Sequence, residues 1–196
     1  MTTFLRSMSG TVETSTITFV QQPHRFEKQK LLPLQSNVFW QIESGFVRSL
    51  TWSAEGEVIT LGIWGKGDIV GRTLSRLEVY QLECLTPVEA IALAYPEQCS
   101  FEALQSHLQN VEALLSIAHI KRIRDRLLNL LHLFACRFGE KIEQGYLLQV
   151  RLTHQVIAEL IGTTRVTVTR LFNELEDEGM ISRPGKHRTV LHFTRL

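Results

Sequence analysis

A chain of 196 residues with 44% hydrophobic content has room for two domains of ordinary size and is too apolar to be mainly disordered. The net charge of +1 hides an asymmetry: residues 1–120 carry eight Lys/Arg against twelve Asp/Glu, whereas residues 121–196 carry thirteen against eight. No apolar run reaches the roughly 20 residues of a membrane span and no signal-peptide pattern opens the chain, so a cytoplasmic protein is expected, with a basic half suited to phosphates.

The first dozen residues are polar and Ser/Thr-rich, and a strand pattern starts near Ile17. Short strands are predicted within 24–33, at 38–43, at 46–52 after the Ser44-Gly45 break, at 58–64 after the Ala54-Glu55-Gly56-Glu57 hairpin, and at 69–71 after Gly65-Lys66-Gly67-Asp68. Short strands joined by glycine turns predict a closed or sandwiched antiparallel roll. Cys84, Cys99 and Cys136 stand apart, with no CxxC pair and no histidine at ligand spacing, so neither a metal nor any other cofactor is expected. An enzyme of the cupin kind needs a cluster of histidines on the roll, and His24 is the only histidine before residue 107.

From residue 97 the pattern turns helical. Phe101, Leu104, Leu108, Val111, Leu115 and Ala118 step by 3, 4, 3, 4 and 3, a seam at heptad spacing. Such a stripe packs on a second copy of itself, on the chain's own roll, or partly on each; a dimer helix over 101–120 is the expectation. At Lys121-Arg122-Ile123-Arg124-Asp125-Arg126 charges interrupt the seam, and Ile123, Leu127, Leu130, Leu131 and Phe134 begin a new apolar phase that runs to Phe138-Gly139. The break at 119–124 predicts a hinge. Residues 140–151 then predict a turn at Gly145 and an alternating strand.

The stretch LTHQVIAELIGTTRVTVTRLFNELEDEGMISRPG from Leu152 to Gly185 predicts helix, turn and helix. Thr153 caps the first helix, Gly162 ends it, and Thr164 caps a second that runs to about Glu178. Turned at about 100° per residue, the second helix sends Val168, Leu171 and Leu175 inward against Ile157 and Ile161, with the small Ala158 allowing close approach. Arg165, Val166, Thr169, Arg170 and Asn173 are left on the opposite face. Arginine forks match the edge of guanine and a branched aliphatic suits a thymine methyl; the plainer alternative is that both arginines hold phosphates or a solvated face. Residues 180–182 and 189–193 then predict two strands around the basic turn 183–188, a wing in which Lys186 and Arg188 suit phosphate contact. His154, beside the capping Thr153, is a further candidate for touching phosphate.

This last segment resembles the DNA-binding domain of the Crp/FNR transcription regulators, and TTRVTVTRLFNELEDEGMIS is similar to the recognition helix of the cyanobacterial nitrogen-control regulator within that family. The order of strands and turns from residue 20 onward resembles the family's cyclic-nucleotide-binding roll. The resemblance implies an α+β chain: an effector-type roll over 1–100, a dimerisation helix over 101–120, and a winged helix-turn-helix over 121–196. It implies a homodimer on double-stranded DNA at a GTA…TAC half-site pair, with Arg165 or Arg170 on guanine and Val166 near a thymine methyl. Thr153, Thr164 and Thr167 join the DNA-binding set. Activation through RNA polymerase is implied, while repression would use the same DNA chemistry. A winged helix that binds protein on a vestigial roll is the alternative.

The resemblance fails where an effector should sit. After Gly71 the family's cyclic-nucleotide binders carry a glutamate, and this chain has Arg72; Glu78 and Val79 fall where a phosphate-binding pair belongs. A carboxylate opposes a phosphate, which disfavours cyclic AMP. Arg72 and Glu78 are expected either to pair and close a vestigial pocket or to stand as two solvated charges. Ser106 and Val111 occupy the positions at which the nitrogen regulator holds 2-oxoglutarate with charged groups, so that effector is not expected either, and the signal is left open.

Overall fold

The computed structural model describes residues 22–94, 98–184 and 188–192. Strands β1 (His24–Phe26), β2 (Val38–Ser44), β3 (Val47–Trp52), β4 (Val58–Trp64), β5 (Ile69–Val70), β6 (Gln81–Cys84) and β7 (Val88–Ala94) form two antiparallel sheets, ordered β1-β7-β2-β5 and β4-β3-β6. Gly56 at φ +83° turns the chain at the hairpin read from the sequence, between β3 and β4, and Gly67 at φ +87° turns it from β4 of one sheet into β5 of the other. At the second of these turns Asp68 Oδ2 accepts from the Gly65 amide at 2.7 Å. The pattern of turns did not announce β7, VEAIALA, because no glycine bounds it and alanine is a weak strand former. It nevertheless lies at the centre of its sheet, between β1 and β2.

The alternation of the strands sends Trp40, Ile42, Val47, Trp64, Tyr80 and Leu82 into the roll, each at most 7% exposed. Trp64 donates from Nε1 to Ser49 Oγ at 2.9 Å, and His107 of the following helix stacks flat on its ring at 4.1 Å. Burial pushes the Tyr80 hydroxyl up to about 12 and the Cys84 thiol up to about 11, so both are neutral fillers of this core. Cys84, Cys99 and Cys136 are free thiols.

Helix α1 (Phe101–Ala118) is capped by Ser100, whose hydroxyl accepts from the Ala103 amide. One face is covered by the rest of the chain: Asn110, Leu114 and Ile117 are buried, the last two in the core shared with the C-terminal helices, and Leu104 lies against the roll's cluster of Phe39, Ile69 and Leu93. The other face carries Phe101, Leu108, Val111 and Leu115, from 39% to 75% exposed, together with exposed Ala118. Of the predicted seam, then, Leu104 turns to the chain's own roll and the remainder faces outward.

Helix α2 (Ile123–Phe138) follows a break at 119–122, where the two apolar phases meet. Strands β8 (Gly139–Ile142) and β9 (Gly145–Leu148), helices α3 (His154–Ile161) and α4 (Arg165–Asp177), and strands β10 (Ile181–Ser182) and β11 (Val190–His192) complete the chain, with sheet order β10-β11-β9-β8. One core joins Leu127, Leu130, Leu131 and Phe134 of α2 to Ile157, Ile161, Val168, Leu171 and Leu175 of the two helices, and reaches Leu114 and Ile117 of α1 and Ile63 of the roll.

One expectation fails. Arg72 sits in a short 3-10 turn, Arg72–Leu74, and donates to the carbonyl oxygen of Leu77, not to Glu78. Ser75 Oγ accepts from the Leu77 amide and tightens the bend, so the arginine meets main chain while Glu78 turns to solvent. The Arg72–Glu78 pair is not formed.

Candidate nucleic-acid interface

Helix α3 begins where a threonine can satisfy a free amide: Thr153 Oγ1 accepts from Val156 N at 3.2 Å. It ends at Gly162, whose φ of +65° and ψ of +54° lie in the left-handed region, and the Thr163 amide closes the turn on Ala158 O at 2.9 Å. Arg126 of α2 holds the same corner from behind, donating to Ile161 O at 2.9 Å and Ile120 O at 2.6 Å. Sequence reasoning assigned Arg126 only to a basic cluster; its bonds to two carbonyls far apart in the chain carry no local pattern.

Thr164 caps α4 by accepting from Thr167 N at 3.2 Å. Val168, Leu171, Phe172 and Leu175 are at most 3% exposed, and with Ile157, Ala158 and Ile161 they hold the two helices together. Because the inward face is so fully used, the outward one is left to Arg165, Val166, Thr169, Arg170 and Asn173. These five line one shallow hollow of about 440 Å³. Val166 is 78% exposed, the most exposed of the large apolar side chains among the described residues.

The sequence read no acid on this face, and the structure adds one: Glu174 reaches back one turn to pair with Arg170. Asn173 Oδ1 accepts from Arg183 at 2.9 Å, and Arg183 also holds Glu176, whose carboxyl its hydrogen bond keeps below the usual range. Arg183 is thereby a brace between α4 and the wing. His154 is also committed within the fold. Thr169 donates its hydroxyl proton to Arg165 O at 2.9 Å, so the 2.8 Å contact of His154 Nδ1 with Thr169 Oγ1 places a proton on Nδ1. Its ring stacks on Phe172 at 4.7 Å, and burial, then Arg183 and Arg165, lower its pKa.

Beside the start of α4 lies a larger hollow of about 760 Å³, floored by Leu131, Phe134 and Phe172 and rimmed by Arg151, Arg165, Arg183 and Arg188. Among the described residues its lining includes no carboxylate. Strands β10 and β11 pair as the two sides of the wing, Ile181 opposite Leu191 and Ser182 opposite Val190. Lys186 lies outside the described residues. An exposed helix with arginines and an apolar tip, flanked by a cationic rim and a wing, offers donors for phosphates and for the edges of base pairs.

Comparison with known proteins decides the family. A profile described as the Crp-like helix-turn-helix domain matches residues 121–196. The regulatory protein CysR of Synechococcus elongatus is 44% identical over 184 residues, covering 91% of this chain and 89% of its own. The chain belongs to the Crp/FNR family of transcription regulators. Among other Crp/FNR relatives, the global nitrogen regulator of a Nostoc species is 31% identical over 153 residues, 69% of this chain and 68% of the relative. Of solved structures, FixK2 from Bradyrhizobium japonicum aligns over 88% of this chain and 92% of its own with a TM-score of 0.73 at 16% identity, a likeness of fold alone. These relatives are regulators and not enzymes, and the α+β layout of roll, long helix and winged helix-turn-helix is the layout of this Crp/FNR chain. Among the described residues no helix is long and apolar enough to cross a membrane.

Proposed function

We propose that the chain is a homodimeric, sequence-specific DNA-binding regulator that recognises a palindromic site of the GTA…TAC type and activates transcription by contacting RNA polymerase. The observation that carries this reading is the outward face of α4, where Arg165, Val166, Thr169, Arg170 and Asn173 stand together in solvent on a helix whose other face is spent on packing. In this reading α4 enters the major groove by its N-terminal turn, Arg165 and Arg170 address guanine, and Val166 meets a thymine methyl. Thr153, Thr164, Thr167, Lys186 and Arg188 hold phosphates. Two copies of α1 meet along Phe101, Leu108, Val111, Leu115 and Ala118, with Leu104 kept on the roll, and present two reading helices to successive grooves. The functional division is 1–100, 101–120 and 121–196. The bend at Arg72 and Glu78 is the remnant of an effector pocket, and cyclic AMP is not its ligand.

A mobility-shift titration of the purified chain on a GTA…TAC duplex and on a scrambled duplex, at two salt concentrations, tests the reading. Affinity for both should fall with salt as phosphate contacts are screened, while the gap between the duplexes persists. Equal affinity for both, or no binding at either salt, would defeat it.

A further inference from the structure

Among the described residues, buried polar contacts at two places join the winged helix to the roll, and they differ in what each leaves behind when broken. The first is at the last turn of α2, where Arg137 Nη2 donates to Asp68 Oδ1 and Oδ2 at 2.8 and 2.7 Å, and Nη1 donates to Asn110 Oδ1 at 2.7 Å and Ile63 O at 3.1 Å. Asp68 and Asn110 are 7% and 4% exposed. Withdrawing Arg137 strands a buried carboxylate and a buried amide, so this contact is effectively permanent.

The second is made by Glu159, midway along α3. Its Oε2 accepts from Arg48 Nη1 of β3 at 2.9 Å and from Thr60 Oγ1 of β4 at 2.7 Å, and its side chain is 9% exposed. Here both sides have somewhere else to go. Arg48 holds Glu83 of β6 through Nε at 2.9 Å and Nη2 at 2.7 Å, entirely within the roll, and Glu159 Oε1 accepts from its own helix neighbour Gln155 at 3.1 Å. Two carboxylates share one guanidinium in the docked state; on separation each charge keeps a partner or gains water. The contact therefore holds without being irreversible.

We infer that Glu159 is a positioning residue for DNA reading: by docking α3 on β3 and β4 it sets the direction in which α4 projects, with the Arg137 cluster at the end of α2 as the pivot. Helix α4 follows α3 because Val168, Leu171 and Leu175 are packed on Ile157 and Ile161. Helix α3 in turn lies against β4 of the roll, so the seat of α3 there bears on the angle between α4 and α1. In a two-fold dimer that angle determines the separation of the two reading helices, and so which half-site spacing is bound. This inference rests on the DNA-reading dimer proposed above.

Two readouts on the full chain test it: amide exchange of residues 58–64 and 154–161 without DNA, and affinity for duplexes whose half-sites are at native spacing, shifted by one or two base pairs, or reduced to one half-site. Glu159→Ala should speed exchange in both segments, lose about tenfold on the native spacing, and change little on shifted spacings and on the single half-site. Glu159→Gln, which keeps an oxygen for Thr60 and Arg48, should recover most of that loss. Thr60→Val, a change in the roll alone, should move the spacing profile in the same direction, which a local defect of α3 could not explain. Unchanged exchange in Glu159→Ala, a spacing profile like that of wild type, a uniform loss on every duplex, or tighter binding at the native spacing would each overturn the inference. Wild-type protein that distinguishes none of the duplexes would overturn the DNA reading itself, whatever exchange shows.

Discussion

At the scale of single residues, the outward face of α4 divides its side chains by what else they hold. Arg165 has its main chain tied to Thr169 and its guanidinium on the rim of both hollows, whereas Arg170 is already paired with Glu174 and Asn173 with Arg183. An arginine that must leave a carboxylate to meet a base contributes less net affinity than one that is free to do so. Arg165→Ala should cost about 1–3 kcal/mol of binding and relax discrimination at one base pair, read by competition titration against duplexes substituted at each position. An equal loss on every duplex would instead make Arg165 a phosphate contact. His154 shows what single-residue reading leaves out: besides its place next to a cap, on the lining of the larger hollow, Thr169 and Phe172 of the second helix hold its Nδ1 and ring face. Those partners lie 15 and 18 positions along the chain, and their approach depends on the turn between the helices.

Elements are where local chemistry speaks most directly. Both caps, the left-handed glycine, the end of α2 at Phe138 and the change of apolar phase between α1 and α2 are read from neighbouring residues, and the structure has each where the sequence puts it. The turn of the reading motif depends on one backbone conformation. Gly162→Ala leaves room for the added methyl, whose nearest neighbour is Arg126 Nη1 at 3.5 Å, so the cost is the left-handed φ alone. It should lower stability by about 1–2 kcal/mol, seen as a lower midpoint in thermal unfolding, and a neutral result would show that the turn tolerates a side chain. Strand β7 escaped because its pairing partners, β1 and β2, supply the order that its alanines do not.

At the scale of the molecule, α1 has two faces, and among the described residues only one is covered. Burying Leu108 and Leu115 is worth about 1.5–3 kcal/mol each on a partner helix, which is the physical case for a second copy. Leu108→Glu combined with Leu115→Glu should give a monomer in sedimentation, with affinity for the full palindrome reduced towards that of one half-site; a dimer that survives both charges would move the interface elsewhere. The amino-acid sequence by itself determined the helix-turn-helix, its caps, the two strands that flank the basic turn and the apolar stripe of α1, because each depends on residues within a turn or two of one another. Only the tertiary structure decided that Arg72 meets the Leu77 carbonyl instead of Glu78, that Arg126 and Arg183 brace the motif, and that Glu159 and Arg137 join it to the roll. Those contacts link residues that no periodicity relates, and which charge finds which partner is settled when the sheets and helices pack and exclude water.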